Sequence, residues 1–369
     1  MKSWIHFSKG QVPHQAHVGV GELKEDELGR QGFSGRVAEL YHVNEPTGWT
    51  RIEGPLRPWD INSNELSPSD QDDPRGVPLT AVYNADVSIA ISRRSAPMPY
   101  YVRNADGDEI YFIHRGTGTF ETEFGPLAYE PGDYIALPKG VTYRVVPDGA
   151  DNFFMLIESI AEVEFPDYGG LGRHAPFDPA VIQVPEPQVL QANGQQEWEL
   201  RIKRESEYTS VYYPFHPLDV VGWKGDLFPF KMNIRDYRPI MSDRLHLPPS
   251  VHCIFQAKGF VVCNFMPRPA ESERDVERVP WYHRNIDYDE VVLVHAGTLL
   301  GAEVPPGTML VNPQGIHHGL GEEFRQWEKA NWRKDEYFDW QLINVDCERP
   351  IKVTPEVQAA VSDKPPVLE

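Results

Sequence analysis

Two histidines and a glutamate stand out by their spacing. His283 lies two residues before Asn285, Glu290 follows, and His318 comes three residues after Gly315. Two neutral imidazoles and one carboxylate can hold a divalent ion while leaving coordination positions open, a set that suits non-haem Fe(II) binding a substrate and O₂ side by side. His317 is the obvious rival to His318. Alternation on an extended chain turns the two to opposite faces, and only His318 keeps the Pro-x-Gly-x-x-His spacing from Pro313 and Gly315. On a strand, His283 and Asn285 share a face. Glu290 lies an odd number of positions beyond His283, so the run from Ile286 to Asp289 must contain a turn or bulge.

The elements that carry these residues form an internal repeat. Glu109-Ile-Tyr-Phe-Ile-His-Arg-Gly116 matches Glu290-Val-Val-Leu-Val-His-Ala-Gly297, and Gly132-Asp-Tyr-Ile-Ala-Leu-Pro138-Lys-Gly140 aligns without a gap to Gly307-Thr-Met-Leu-Val-Asn-Pro313-Gln-Gly315. Upstream, Arg103-Asn104 mirrors Arg284-Asn285. Two copies of one β unit in tandem are the simplest explanation. In the first copy Val102 and Tyr143 stand where His283 and His318 stand in the second, so that copy is expected to be metal-free, with Glu109 a hydrogen-bonded remnant. His295, on the Glu290 strand, reads as a packed or interface residue.

Short runs rich in β-branched and aromatic residues, such as Val87–Ser92, Ile110–Ile113, Phe260–Phe265 and Val291–Val294, are bounded by turn formers and read as strands. Helical signals are few: Phe324–Glu336, and an N-cap with proline at the first position at Thr354-Pro355-Glu356. Residues 45–76 read as a long loop, with disorder expected around Ser67–Arg75 and a solvated acidic group at Asp70, Asp72 and Asp73. The Pro- and Gly-rich stretch 165–196 reads as a linker, dividing the chain into units 1–164 and 197–369.

Composition narrows the function classes. There are 35 Lys and Arg against 55 Asp and Glu, a formal charge of −20, which repels phosphate backbones and anionic lipid. Nucleic-acid and membrane partners are therefore not expected. Three cysteines with no CxxC pair, and a polar stretch from Met1 to Lys9, imply a reduced, cytoplasmic setting. Neither a Gly-x-Ser-x-Gly elbow nor a Cys-His nucleophile signature is present, so covalent hydrolysis has no support.

The repeated motifs resemble those of the cupin superfamily, with Asn285 in place of the usual second histidine. More narrowly, Arg103–Glu109, Phe124–Tyr134, Pro217–Gly225 and Trp281–Asn285 resemble the homogentisate 1,2-dioxygenase family, over most of the chain. The resemblance implies a mainly β bicupin: two tandem jelly-roll-like barrels with few short helices, iron in the second alone. It makes His283, Glu290 and His318 the Fe(II) ligands and His252 the catalytic histidine, a base that eases deprotonation of a ring hydroxyl. Asn285, Trp281 and Asn312 fall at substrate-side positions. Trp281 replaces a family tyrosine and Asn312 a family histidine, while the Asn285 amide either orients substrate or fills the barrel. The implied reaction is O₂-dependent opening of homogentisate to 4-maleylacetoacetate in aromatic amino-acid catabolism, by a homo-oligomer. Gentisate or another hydroquinone is the alternative substrate, and a non-catalytic ligand-binding bicupin the alternative class.

Overall fold

The protein is described by a computed structural model covering residues 7–30, 35–168, 170–190, 194–278, 281–285, 287–298 and 304–361, without the side chain of Asn285. Its central strands are apolar on both faces, and that decides the layering. Along Asp108–Arg115, Ile110 and Phe112 enter one core while Tyr111 and Ile113 enter another. Phe153–Ser159 divides the same way, with Met155 and Ile157 on one side and Phe154 and Leu156 on the other. Fully burying such a side chain stabilises by roughly 1.5–3 kcal/mol, so a strand of this kind is stable only between two layers.

In the front unit a seven-stranded sheet runs in the order Phe230–Asn233, Asp133–Leu137, Asp108–Arg115, Phe153–Ser159, Val87–Ser92, Leu79–Tyr83, Lys352–Val353. It faces a six-stranded sheet that contains Tyr101–Asn104 and Thr142–Pro147. The rear unit opposes a six-stranded sheet, centred on Gln341–Cys347 and Asp289–Ala296, to a three-stranded one made of Tyr282–Asn285, Lys24–Gly29 and Val37–His42. The large sheets of the two units pack on each other through one shared core that includes Phe112, Tyr134, Phe255, Val291 and Met309. The architecture is mainly β and bicupin, as the repeat predicts. Gly132 and Gly307, equivalent in the repeat, have φ of +86° and +90° and open equivalent strands.

Sheet membership does not change at the expected 165–196 linker. Trp198–Arg204 and Glu207–Tyr213 extend the front unit's smaller sheet, and Phe230–Asn233 edges its larger one. Conversely, Lys24–Gly29, Val37–His42 and Trp59–Asn62, early in the chain, complete the rear unit, while Lys352–Val353 returns to the front. Exposed edges must be covered, and local sequence does not say which edge a strand will cover.

Three local expectations change. The loop 45–76 contains the strand Trp59–Asn62, and Asp70 is buried, accepting from Ser92 Oγ at 2.5 Å and the Arg93 amide at 3.0 Å; the segment expected to be disordered is packed. The helix expected over 324–336 spans Glu322–Asn331 instead, starting after Gly321. The second helix, Pro355–Ala360, begins after Thr354 as read. Among the described residues no helix is long and apolar enough to cross a membrane.

Candidate metal centre

Glu290 sits on Asp289–Ala296, facing the rear-unit interior between Asp346 and Asn312 on the neighbouring strands. His283 comes from the opposed sheet. The chain changes sheets between Asn285 and Asp289, and this is how the odd spacing is accommodated. His318 lies outside any longer strand and is fixed by a two-way bridge to His283, amide to carbonyl at 3.0 and 2.9 Å.

The donor atoms converge. His318 Nε2 lies 3.1 Å from Glu290 Oε2, His283 Nε2 lies 3.5 Å from Glu290 Oε1, and the two rings are 4.0 Å apart. His283 Nδ1 is 2.9 Å from the Trp281 carbonyl and His318 Nδ1 is 3.2 Å from the Ile316 carbonyl. A carbonyl only accepts, so each Nδ1 carries its proton. Burial opposes the His318 charge, but Glu290 outweighs it and pushes that ring up, so without a metal the 3.1 Å contact is an Nε2–H donating to the carboxylate. Burial opposes the Glu290 charge, but His318 and His283 outweigh it and hold the carboxylate well below its usual range. A divalent metal requires an ionised carboxylate and Nε2 lone pairs, so an ion bound here would displace the Nε2 proton while the Nδ1–carbonyl bonds keep each ring oriented.

Around the trio the other expected residues separate. Asn312 is the cross-strand partner of Glu290 and shares its face. Asn285 pairs with Gly29 at the end of the His283 strand, and its side chain lies outside the described atoms. Trp281 is buried and committed to the protein: its ring stacks on His17 at 3.5 Å, and its Nε1 donates to Glu27 at 3.1 Å. His317 turns away from the trio, as alternation requires, to Arg284 at 2.6 Å and Asp26 at 3.2 Å. His252 ends the short 3₁₀ turn Pro249–His252, its ring 5.5 Å from Phe265 and its Nδ1 without a hydrogen-bond partner. Burial, then Arg268 and His246, push it down to about 3, so it is neutral at working pH.

Two groups were not legible as site neighbours. Asp346, buried beside Glu290, is pushed up to about 8 by burial and by that carboxylate, and accepts from Asn344 Nδ2 at 2.9 Å. The second is a carboxylate group on the early strands that flank His283. Glu27 is the strand partner of His283 and Glu39 that of Glu27. His17 Nδ1 lies 2.9 Å from Glu25 and its Nε2 4.0 Å from Glu39. Burial, then Glu27 and Glu25, push Glu39 up to about 10, so it is protonated at neutral pH. These acids are over 200 residues from His283 in the chain, and only the long-range pairing reveals them.

Residues 80–234 match the family described as homogentisate 1,2-dioxygenase N-terminal. The matched span ends one residue after Phe230–Asn233, an edge strand of the front unit's larger sheet. A Saccharolobus solfataricus protein named "Putative dioxygenase SSO1533" is 29% identical over 371 residues, covering 95% of each chain. Both matches support a likeness to the homogentisate dioxygenase-like family. Among solved structures, a cupin 2 conserved barrel domain protein from Leptotrichia buccalis matches with TM-score 0.36 and 13% identity, over 78% of this chain and 95% of that one. Protein Ylba from E. coli matches with TM-score 0.35 and 8% identity, over 83% and 98%. His283, Glu290 and His318 all lie beyond residues 80–234, outside the matched span.

Proposed function

We propose that this chain is a cupin-type, Fe(II)-dependent dioxygenase that opens the ring of a hydroquinone-type aromatic acid, with homogentisate the first candidate. The observation that carries this reading is the convergence of two tautomer-fixed Nε2 atoms on the Glu290 carboxylate. The match of residues 80–234 to the homogentisate 1,2-dioxygenase N-terminal family and the dioxygenase name of the Saccharolobus relative support it.

His283, Glu290 and His318 would hold the iron, which when bound supplies open positions for the substrate's ring oxygen and for O₂. Overall, both atoms of O₂ enter the product: homogentisate plus O₂ gives 4-maleylacetoacetate. The remaining roles belong to protein groups. The Trp281 and Ile316 carbonyls keep both imidazoles in the ligating tautomer. Asn312, beside Glu290, would orient the substrate; for Asn285 and Trp281 the substrate-side role rests on the family resemblance alone. His252, uncharged and with an unbonded Nδ1, would accept the proton of a ring hydroxyl.

The test is anaerobic purification, loading with Fe(II), and parallel O₂-uptake measurements with homogentisate, gentisate and hydroquinone. Uptake with homogentisate supports the reading. Uptake with gentisate alone moves the substrate, and none with any of the three, despite bound iron, rejects ring cleavage.

A further inference from the structure

The front unit has lost the histidines of the repeat, yet it has not filled the space they would surround. A cavity of about 360 Å³ reaches Val102, Glu109 and Tyr143, the repeat equivalents of His283, Glu290 and His318. That volume is in the range of small-molecule sites, roughly 300–1,000 Å³. Tyr143 donates from its hydroxyl to Glu109 Oε2 at 2.9 Å, and the Tyr111 hydroxyl lies 2.8 Å from that of Tyr143. All three side chains are buried. The walls include Met98, Ala90 and Leu156 from the front unit's inner core, and the cavity extends outward to the exposed Tyr83 and Tyr208.

The chemistry of the lining selects the guest. A divalent cation would find two carboxylates, Glu109 and the Lys203-paired Glu158, but no imidazole beside them, because Val102 and Tyr143 replace the histidines. An anion would meet two acids, Glu109 and Glu158. The lining cations are already engaged: Lys203 pairs with Glu158, and Arg94 donates to the Pro74 and Gly76 carbonyls at 2.9 and 2.8 Å. A polyol would leave those of its hydroxyls that face Met98, Ala90, Val102 and Leu156 without partners. An uncharged ring bearing one hydroxyl fits each constraint, with the ring against the apolar walls and the hydroxyl on the carboxyl at the floor.

We propose that the front unit holds a second, non-catalytic site for an uncharged single-ring phenol, seated where the metal lies in the rear repeat, with Glu109 accepting the phenol's hydroxyl. The site does not depend on the ring-cleavage reading, since it concerns binding in the other unit.

The test uses the full chain, stripped of metal with a chelator, and 4-fluorophenol followed by ¹⁹F NMR, with the methionine methyl resonances read in parallel. Saturable binding, about millimolar or tighter for so small a guest, is expected, together with a shift of the Met98 methyl signal. Val102→Phe and Ala90→Leu, which fill the cavity, should each weaken binding at least about tenfold, while His318→Ala should leave it unchanged. If either filled variant fails to fold, the Met98 shift in the unaltered chain still decides. Binding that survives both fillings but is lost in His318→Ala, no saturable binding, a Met98 signal that does not move, or benzoate binding as well as the phenol would each overturn the proposal.

Discussion

His114 and His295 meet Nδ1 to Nδ1 at 2.9 Å, although 181 residues separate them in the chain. They occupy the same place in the two copies of the repeat, each five residues after the motif glutamate, so the contact lies where the two units are related to each other. Each ring packs edge-on against a Phe of the shared layer, His114 on Phe153 at 4.8 Å and His295 on Phe112 at 5.0 Å. Two nitrogens at this distance need one proton between them: one ring donates, the other accepts, and both are neutral.

Acid should weaken this junction. Burial, then His295 and nearby arginines, push His114 down to about 3, and burial pushes His295 down to about 4. In the unfolded chain both return toward the usual histidine value, near 6.5. Between those limits the unfolded chain binds more protons, so the stability these groups contribute is complete above about pH 6.5 and is lost as pH falls toward 4 and 3. His252 titrates in the same window, so the contribution must be read by difference. His295→Gln should lower the slope of stability against pH by up to about 1.4 kcal/mol per pH unit within that window. Denaturant unfolding at a series of pH values measures it, and parallel curves for variant and parent would contradict the assignment.

How much of this was legible in sequence depended on whether the signal was local. The repeat paired Glu290 with His318, and their side chains do meet, at 3.1 Å, because the strand, the glycine turn and the histidine follow one another within thirty residues. It also gave Glu109 as a hydrogen-bonded remnant in the first copy, but not its partner, which is Tyr143 at 2.9 Å. His283 was found by its motif, but its neighbours were not: Glu27 and Glu39 reach it through a parallel pairing that links the start of the chain to the second repeat. Asp70 was misread for the same reason. An aspartate among Asp, Pro and Ser looks solvated until Ser92 and Arg93 arrive from another strand to bind it.

Removing one imidazole should empty the metal site. His318→Ala deletes a direct donor, so affinity should fall by more than the roughly 10–100-fold that follows loss of an outer hydrogen-bond partner. Tyr143→Ala, at the equivalent position of the front unit, should leave metal content unchanged. Elemental analysis after equilibrium dialysis against Fe(II) or Mn(II) compares the two. Loss of metal in the tyrosine variant would place the ion in the wrong unit.

Glu39 should be a site where a neutral side chain is better tolerated than the native acid. It holds its proton up to about pH 10, whereas the unfolded chain releases it near 4.5. The folded form therefore binds the extra proton between those values. This favours folding fully below about pH 4.5, and the advantage is lost progressively as pH rises toward 10. Glu39→Gln keeps the shape and a hydrogen-bond donor toward Glu27 and removes the titration. At pH 8 it should melt at the native temperature or roughly 2 °C above it, with a flatter dependence on pH. Calorimetry at pH 5 and pH 8 would count against the protonated assignment if the variant were clearly less stable at both.

His252→Ala separates a proton-accepting role from a structural one. The ring is buried against Phe265 and is not one of the converging donors, so iron content should match the parent. If the ring accepts a hydroxyl proton, turnover should fall by about 10²–10⁴ with KM nearly constant, because the interaction is made in the transition state rather than on binding. Filling the space with His252→Gln restores packing and an acceptor oxygen but not a titratable base, and should recover stability without recovering turnover. Recovery of both would reduce His252 to a packing residue. Loss of iron in either variant would instead show that it supports the metal centre.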